Sequence, residues 1–145
     1  KVTCGFSTSL SFRNWELSTS LRGSFGNYMY NNMNSALATY SNILSPSKSI
    51  LNAPSSVLES NFYLNQPLSD YYLENASFVK MDNLSLSYNF GKVFNKTVNV
   101  RGTLSVQNVF TITKYSGIDP EIAGGVDRSF YPRPRTFTLG FNINY

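Results

Sequence analysis

The last ten residues of the chain, TFTLGFNINY, alternate without a break between apolar and small uncharged side chains. Successive side chains of a β-strand point to opposite faces, so the alternation predicts a strand over 136–145 with one apolar and one uncharged polar face. An edge strand of a soluble sheet usually carries charges that oppose pairing with other chains, and this stretch has none. Its length also matches that of a tilted strand crossing a bilayer. The pattern therefore favours a membrane strand over the edge of a soluble sandwich.

The composition of the chain agrees with this interpretation. The length of 145 residues predicts one domain. Charged residues make up 14% of the chain, against about 25% in a typical soluble domain. The chain contains ten Tyr, eleven Phe and one Trp, and it is rich in Ser and Asn. Transmembrane barrels have apolar lipid-facing positions, small polar lumen-facing positions and aromatic girdles, so this composition is typical of their strands.

The residue types disfavour several classes of function. The chain has no His and a single cysteine, Cys4, which excludes a His-based triad, a cysteine metal cluster and an internal disulfide. The net charge of +4 is spread over single Lys and Arg residues, so there is no basic stripe for nucleic acid. The carboxylates occur in no strand register that suggests acid–base catalysis. We therefore expect no enzymatic activity, no cofactor, no metal and no nucleic-acid partner.

One loop contains three acidic residues that could in principle bind calcium. Asp119, Glu121 and Asp127 lie close to Gly124 and Gly125 in the sequence. Loops rich in oxygen ligands can bind Ca²⁺, but the spacing does not match that of an EF-hand. An Asp-Pro-Glu sequence is typical of a turn. We interpret the loop as a turn without a metal.

Alternating side chains predict four further strands before the last one. Their connections alternate between short turns and long loops, as the periplasmic and external connections of outer-membrane barrels do. The predicted strands cover about residues 4–14, 15–30, 77–90, 98–110 and 136–145, with external loops over about 31–76 and 111–135. The apolar face changes parity near Asp82–Asn83, which predicts either a β-bulge or a part of the strand above the bilayer.

Five strands do not close a membrane barrel, because single-chain bacterial barrels have even strand counts from about eight upward. The strands therefore complete a larger barrel, combine with further copies into a pore, or belong to a soluble protein. The chain opens directly into a strand pattern without Met or a signal peptide, which we interpret as a piece of a longer protein.

Four stretches, in this order, resemble the C-terminal end of SusC/RagA-like TonB-dependent outer-membrane transporters. They are Gly5–Asn31, Ser77–Lys92 (SFVKMDNLSLSYNFGK), Val106–Ile122 (VQNVFTITKYSGIDPEI) and Phe130–Tyr145 (FYPRPRTFTLGFNINY). Three departures from the family's pattern change no charge and break no strand. Val106 stands where the family often has Gly, Gly91 where it often has Pro, and Tyr145 where it usually has Phe.

The resemblance implies an all-β fold, in which this chain is the last five antiparallel strands of a 22-stranded transmembrane barrel. It also implies location in the outer membrane of a Gram-negative bacterium and import of glycans or oligopeptides. The implied partners are the rest of the barrel and its plug, a SusD-like surface lipoprotein that acts as a lid, outer-membrane lipid, and TonB through an N-terminal part absent from these residues.

Roles are predicted for three groups of residues, the first from the resemblance and the third from the polar faces of the strands. The signal read by the barrel-assembly machinery consists of Thr138, Gly140, Ile143 and Tyr145. Contacts to substrate or lid in the external loop are predicted for Tyr115, Asp119, Glu121, Arg128, Tyr131 and Arg133. For Arg128, Arg133 and Arg135, with Phe130 and Tyr131, a loop rim beside anionic lipopolysaccharide is the favoured interpretation. Charges facing the lumen, paired with each other or with the plug, are predicted for Arg13, Glu16, Arg22 and Arg101.

One hypothesis from another class remains open at this point. A secreted or surface β-sandwich could bind carbohydrate through the Tyr-rich loop. It would need its apolar faces packed against each other and its polar faces in water.

Overall fold

A computed structural model describes residues 1–43, 52–93, 98–128 and 131–145. Most of these residues lie in seven strands and three short helices. In chain order they are β1 (Val2–Phe12), β2 (Trp15–Phe25), β3 (Tyr28–Tyr30), α1 (Asn32–Leu37), α2 (Tyr40–Ile43), α3 (Val57–Ser60), β4 (Leu73–Asn75), β5 (Phe78–Val93), β6 (Val98–Thr113) and β7 (Thr136–Asn144). A 3₁₀ turn over Asp70–Tyr72 precedes β4.

The chain divides into two compact units. We call the first the sheet unit; it comprises Lys1–Phe25, Phe78–Ile112 and Arg133–Tyr145. We call the second the loop unit; it comprises Gly26–Ser77 and Thr113–Pro132. Among the described residues, no helix is both long and apolar enough to cross a membrane.

The sheet unit is a five-stranded sheet in the order β1-β2-β5-β6-β7. Its antiparallel pairs place like side chains opposite each other, as in Leu10 opposite Leu17 and Leu17 opposite Leu86. The pairing follows from the periodicity, because any shift by one residue would exchange the apolar and polar faces of a strand. β1 and β7 are the edges of the sheet in the described part of the chain.

The predicted irregularity in the third sequence strand is a β-bulge. Ser20 pairs with Asn83, whereas the next residue, Leu21, pairs with Met81, so that Asp82 has no opposite residue. Because β5 contains this one extra residue, its alternation of apolar and polar side chains shifts by one position there, and Met81 lies on the same face as its partner Leu21. The prediction of a bulge near Asp82–Asn83 is therefore confirmed.

Several predicted strand boundaries differ from those in the structure, and three strand ends differ most. β2 ends at Phe25 and not near residue 30, because Gly26 has φ +71 and turns the chain, and Tyr28–Tyr30 then pairs with β4 in a second sheet. β5 continues through Gly91 to Val93, where a turn was predicted, and residues 94–97 of that turn lie outside the described part. β6 continues to Thr113.

The loop unit has a small core of its own beside the two-stranded sheet of β3 and β4. Met29, Ala76 and Tyr115 are buried together, and Ile122 packs against them. Two short helices, α1 and α2, follow β3 and are described as far as Ile43. The described part of this long connection therefore contains regular secondary structure and a core of its own.

Candidate functional site

The sheet unit exposes a continuous apolar face. Leu139 in β7 is 67% exposed, although it lies at the centre of the alternating stretch with which the chain ends. The large apolar side chains exposed on this face are Phe6, Leu10, Phe12, Trp15, Leu17, Leu86, Phe90, Leu104, Phe137, Leu139, Phe141 and Ile143. Soluble monomers seldom expose apolar patches larger than a few hundred Å². An exposed apolar face of this extent therefore indicates contact with another apolar phase.

Aromatic rings gather on this face near the turn between β1 and β2. The ring centroids of Trp15 and Tyr88 are 4.6 Å apart, and those of Tyr88 and Phe90 are 4.9 Å apart. Gly102 leaves room for this group, because a Cβ atom there would lie 3.2 Å from the Phe90 ring and 3.6 Å from the Phe141 ring. Clustered aromatics at one level of a sheet are typical of the girdle at a membrane interface.

The opposite face of the sheet is lined by hydroxyl groups. The Ser7 hydroxyl donates to that of Ser20 at 3.3 Å, and the hydroxyls of Ser87 and Thr103 are 2.9 Å apart. Ser87 is only 5% exposed, because larger polar side chains from the neighbouring strands cover it. This face is polar, and it provides many hydrogen-bonding groups with few fixed charges.

Two ion pairs lie on the polar face. The guanidinium of Arg22 binds both carboxylate oxygens of Asp82, the bulge residue, with Nη2 3.0 Å from Oδ1. Arg101 Nη2 lies 2.6 Å from Glu16 Oε2. Three of the four charges predicted to face the lumen are thus on the polar face and paired within the chain.

The fourth of these charges, Arg13, has a different position from the predicted one. It lies in the turn between β1 and β2 with φ 54, outside both strands. Its guanidinium carbon is 5.3 Å from the centroid of the Phe12 ring, a cation–π distance. The prediction that Arg13 lies on a strand face was therefore wrong. Phe12 pairs with Trp15, so β1 ends at Phe12 and Arg13 belongs to the turn.

The loop unit buries Tyr115, one of the residues predicted to contact substrate or lid. The ring is 5% exposed, and its hydroxyl donates to Asp127 Oδ2 at 2.8 Å. Burial, and secondly the bond to Asp127, raises the pKa of the Tyr115 hydroxyl well above its ordinary value. We therefore do not retain Tyr115 as a contact residue, because it holds the fold of the loop unit.

The residue after Tyr115 fastens the loop to β4. The Ser116 backbone N–H and hydroxyl donate to the two carboxylate oxygens of Glu74 at 2.8 and 2.7 Å. The Asn31 amide donates to Glu74 Oε1 at 2.9 Å and is itself buried. Sequence reasoning missed this cluster because its members come from three distant segments. The only local signal was the capping pattern of Asn31, whose Oδ1 accepts from the N–H of Asn34 at the start of α1.

The acidic loop has the geometry of a turn. The Glu121 N–H donates to Asp119 Oδ1 at 2.9 Å, which confirms the prediction of a turn at Asp-Pro-Glu. Asp127 is fully buried, and its carboxylate accepts a hydrogen bond from the Tyr115 hydroxyl. Within the described ranges, no group of three or more His, Cys, Asp or Glu residues is arranged to bind a metal.

The remaining candidates for loop contacts are at the surface. Arg128, Tyr131 and Arg133 are exposed, while Phe130 lies outside the described residues. The backbone carbonyl of Arg133 accepts a bond from the Asn108 amide at 2.7 Å, which ties the start of the last segment to β6. Contact of these side chains with a substrate or a lid stays a prediction.

The residues predicted to form the C-terminal assembly signal lie on β7 or just beyond it. Thr138, Gly140 and Ile143 pair with Ser105, Thr103 and Val100 of β6. Tyr145 follows the strand and is fully exposed. The arrangement leaves the other edge of β7 available for pairing, and recognition by an assembly machine stays a prediction.

Comparison with known proteins gives the family. No protein-family model matches the chain. Over 99% of its length, the chain is 34% identical to the TonB-dependent receptor SusC of Bacteroides thetaiotaomicron. The chain is a homologue of the SusC-like TonB-dependent receptors. It spans about 15% of the length of SusC.

Further relatives and solved structures agree with this family assignment. The TonB-dependent receptor P3 of Formosa agariphila is 29% identical over 99% of the chain, which spans 16% of that protein. The structure of the RagAB peptide importer in the open-open state superimposes on 99% of this chain, with a TM-score of 0.75 and 24% sequence identity. The match covers 17% of the importer chain. The closed-closed state of the same importer matches 96% of this chain, with a TM-score of 0.73. The resemblance to SusC/RagA-like transporters is thereby confirmed, and the structural matches show the same all-β fold.

Proposed function

We propose that this chain forms five neighbouring strands in the wall of a TonB-dependent transporter barrel in the outer membrane of a Gram-negative bacterium. The observation that carries the proposal is the division of the sheet into two faces: an exposed apolar face, and a polar face whose main charges are paired. Only such a sheet can separate lipid from an aqueous lumen. These strands are the last five of a 22-stranded barrel.

The edges of the sheet support closure with further strands. β1 and β7 each present one row of backbone groups without a partner strand in the described residues. In a bilayer every backbone N–H and C=O must be bonded within the protein, so both edges need neighbours. In our proposal the rest of the barrel supplies these neighbours.

The loop unit forms part of the extracellular mouth in this proposal. The long connections leave the sheet after β2 and β6, whereas β1 and β5 end at its other end. Bacterial barrels place their short turns in the periplasm and their long loops outside. The transported substrate is a glycan or an oligopeptide, a SusD-like surface lipoprotein covers the mouth, and energy arrives from TonB through the plug.

Two adjacent residues of β7, whose side chains point to opposite faces of the sheet, can test its orientation. In the full-length protein with Cys4 and other reactive cysteines replaced, we would label either Leu139→Cys or its neighbour Thr138→Cys with a fluorophore. In reconstituted liposomes, the label at 139 should be quenched by lipid-attached quenchers and the label at 138 by an aqueous quencher. The two side chains differ by one residue, so each variant is the control for the other.

Two results would contradict the proposal. A sandwich would bury residue 139 in protein, so that neither quencher reaches it. A water-soluble protein would be obtained without detergent and would run at the same position on a gel whether boiled or unboiled, whereas a membrane barrel is extracted only with detergent and shifts on boiling.

A further inference from the structure

One segment of the loop unit, Phe62–Tyr72, displays apolar side chains on a fixed backbone. Leu68 is 87% exposed, and Tyr63, Leu64 and Tyr71 are each more than half exposed. The rings of Phe62 and Tyr71 meet edge to face with centroids 5.3 Å apart, which holds the two ends of the segment together. We call this segment the Leu68 segment.

The exposure does not result from a loosely held chain. The carbonyls of Phe62 and Tyr63 accept bonds from the N–H groups of Tyr40 and Ser41 at 3.0 and 2.9 Å. The hydroxyl of Ser35, a residue that is itself buried, donates to the Gln66 carbonyl at 3.2 Å. The backbone on both sides of the exposed leucines is therefore anchored to α1 and α2.

Leu68 has an unfavourable backbone conformation as well as an exposed side chain. Its φ is 59°, a left-handed conformation that Gly and Asn adopt readily and branched side chains disfavour. The Leu68 N–H donates to the Tyr30 hydroxyl at 2.8 Å, which maintains this conformation. Strained residues that the surrounding structure holds in place occur preferentially at binding sites.

The chemistry of the segment favours a protein as its occupant. Aromatic faces alone would suit a sugar, but the most exposed group here is an aliphatic leucine, and Leu64 adds a second one. The Leu68 segment contains one acidic residue, Asp70, and no Lys or Arg. A complementary surface therefore needs an apolar pocket with basic residues at its rim.

We propose that the Leu68 segment is a docking surface for the surface lipoprotein of the transporter, with Leu68 as the anchor in an apolar pocket edged by Lys or Arg. This inference rests on the proposed function, which supplies that lipoprotein. A pre-formed anchor reduces the entropy lost on binding, because the backbone is ordered before the partner arrives.

The test uses the full-length transporter and its lipoprotein, purified separately, with the affinity measured in detergent. Leu68→Asn and Leu68→Gly remove the anchor but suit a positive φ, so the fold of the loop unit should be as stable as before or more stable. We expect both variants to weaken binding at least about tenfold, as the loss of an anchor residue does. Leu68→Met should restore most of the affinity.

Leu58→Asn is the matched control. Leu58 is also well exposed and lies in the same unit, but it belongs to α3, outside the Leu68 segment. Its replacement should change the affinity less than about twofold. A photo-reactive residue at position 68 should cross-link to the lipoprotein, and the same residue at position 58 should not.

The proposal is overturned if the two Leu68 variants bind the lipoprotein as the wild type does. It is also overturned if the cross-linker at position 68 reacts only with lipopolysaccharide or an oligosaccharide. The quenching of labels at residues 138 and 139 does not depend on Leu68. A failure of the docking proposal is thereby distinguished from a failure of the proposed function.

Discussion

Arg101 of β6 donates a hydrogen bond to Glu16 of β2, with Nη2 2.6 Å from Oε2, although β5 lies between their strands. The two long side chains meet above β5, where the paired residue of Glu16 is the small and buried Ser87. The ion pair thus connects strands that share no backbone hydrogen bonds. It also pairs two charges with each other on a face that carries many hydroxyl groups.

The first prediction concerns the strength of this pair. The side chains of Arg101 and Glu16 are 46% and 40% exposed, so solvent screens the attraction. A double-mutant cycle with Arg101→Gln and Glu16→Gln should give a coupling of at most about 1 kcal/mol in the free energy of unfolding. The coupling should decrease further in about 1 M salt. A coupling that is larger and insensitive to salt would contradict the screened geometry.

The second prediction concerns the ion pair at the bulge. Asp82 accepts two hydrogen bonds from Arg22, and the two side chains are 39% and 30% exposed. Asp82→Asn should therefore lower the free energy of unfolding by about 1 kcal/mol, since it weakens a charge-assisted pair that solvent partly screens. Asp70→Asn, at an exposed position of the loop unit, is the control and should be nearly neutral. Equal effects of the two substitutions would show that the bulge does not depend on this pair.

The third prediction compares two glycines on neighbouring strands. A methyl group at Gly102 would press against the Phe90 ring at 3.2 Å, whereas one at Gly140 would have no atom within 4 Å. Gly102→Ala should destabilise the protein by about 1 kcal/mol, while Gly140→Ala should be neutral or stabilising by up to about 1 kcal/mol. Unfolding in urea from detergent micelles measures both. A larger loss at Gly140 than at Gly102 would contradict the described packing of the aromatic group.

The fourth prediction is a loss of stability of the loop unit at high pH. The pKa of the Tyr115 hydroxyl is raised in the folded protein above its ordinary value of 10.0. Above about pH 10 the unfolded chain loses this proton while the folded chain keeps it, so its stabilising contribution is complete below pH 10 and is lost progressively above it. Unfolding monitored between pH 8 and 11.5 should show this decline, and Tyr115→Phe should reduce it.

Tyr131→Phe is the control for this experiment, because Tyr131 is exposed. Its replacement should leave the pH dependence unchanged. Tyr115→Phe should also cost about 1–3 kcal/mol at neutral pH, since the buried carboxylate of Asp127 loses a hydrogen-bond donor. An unchanged pH dependence in Tyr115→Phe would show that other groups cause the decline.

Much of the sheet unit was predictable from the sequence. The alternation in β1, β2, β6 and β7 assigned each side chain to a face, and the change of parity near Asp82 predicted the bulge. These features depend on the two-residue repeat of a strand, which is a property of neighbouring residues in the chain. For the same reason the exposure of one wholly apolar face, and with it the membrane interpretation, followed from the sequence alone.

The tertiary structure alone decided which distant residues meet. Glu16 and Arg101 are 85 positions apart, and only the strand order β1-β2-β5-β6-β7 brings them together. The burial of Tyr115 against Asp127 was likewise not predictable, because a tyrosine has both an apolar ring and a polar hydroxyl and fits a surface as well as a core. The sequence by itself determined the local periodicity and hence the two faces of the sheet. The pairing of separate segments determined the ion pairs, the loop core and the display of Leu68, because these contacts depend on how distant parts of the chain pack.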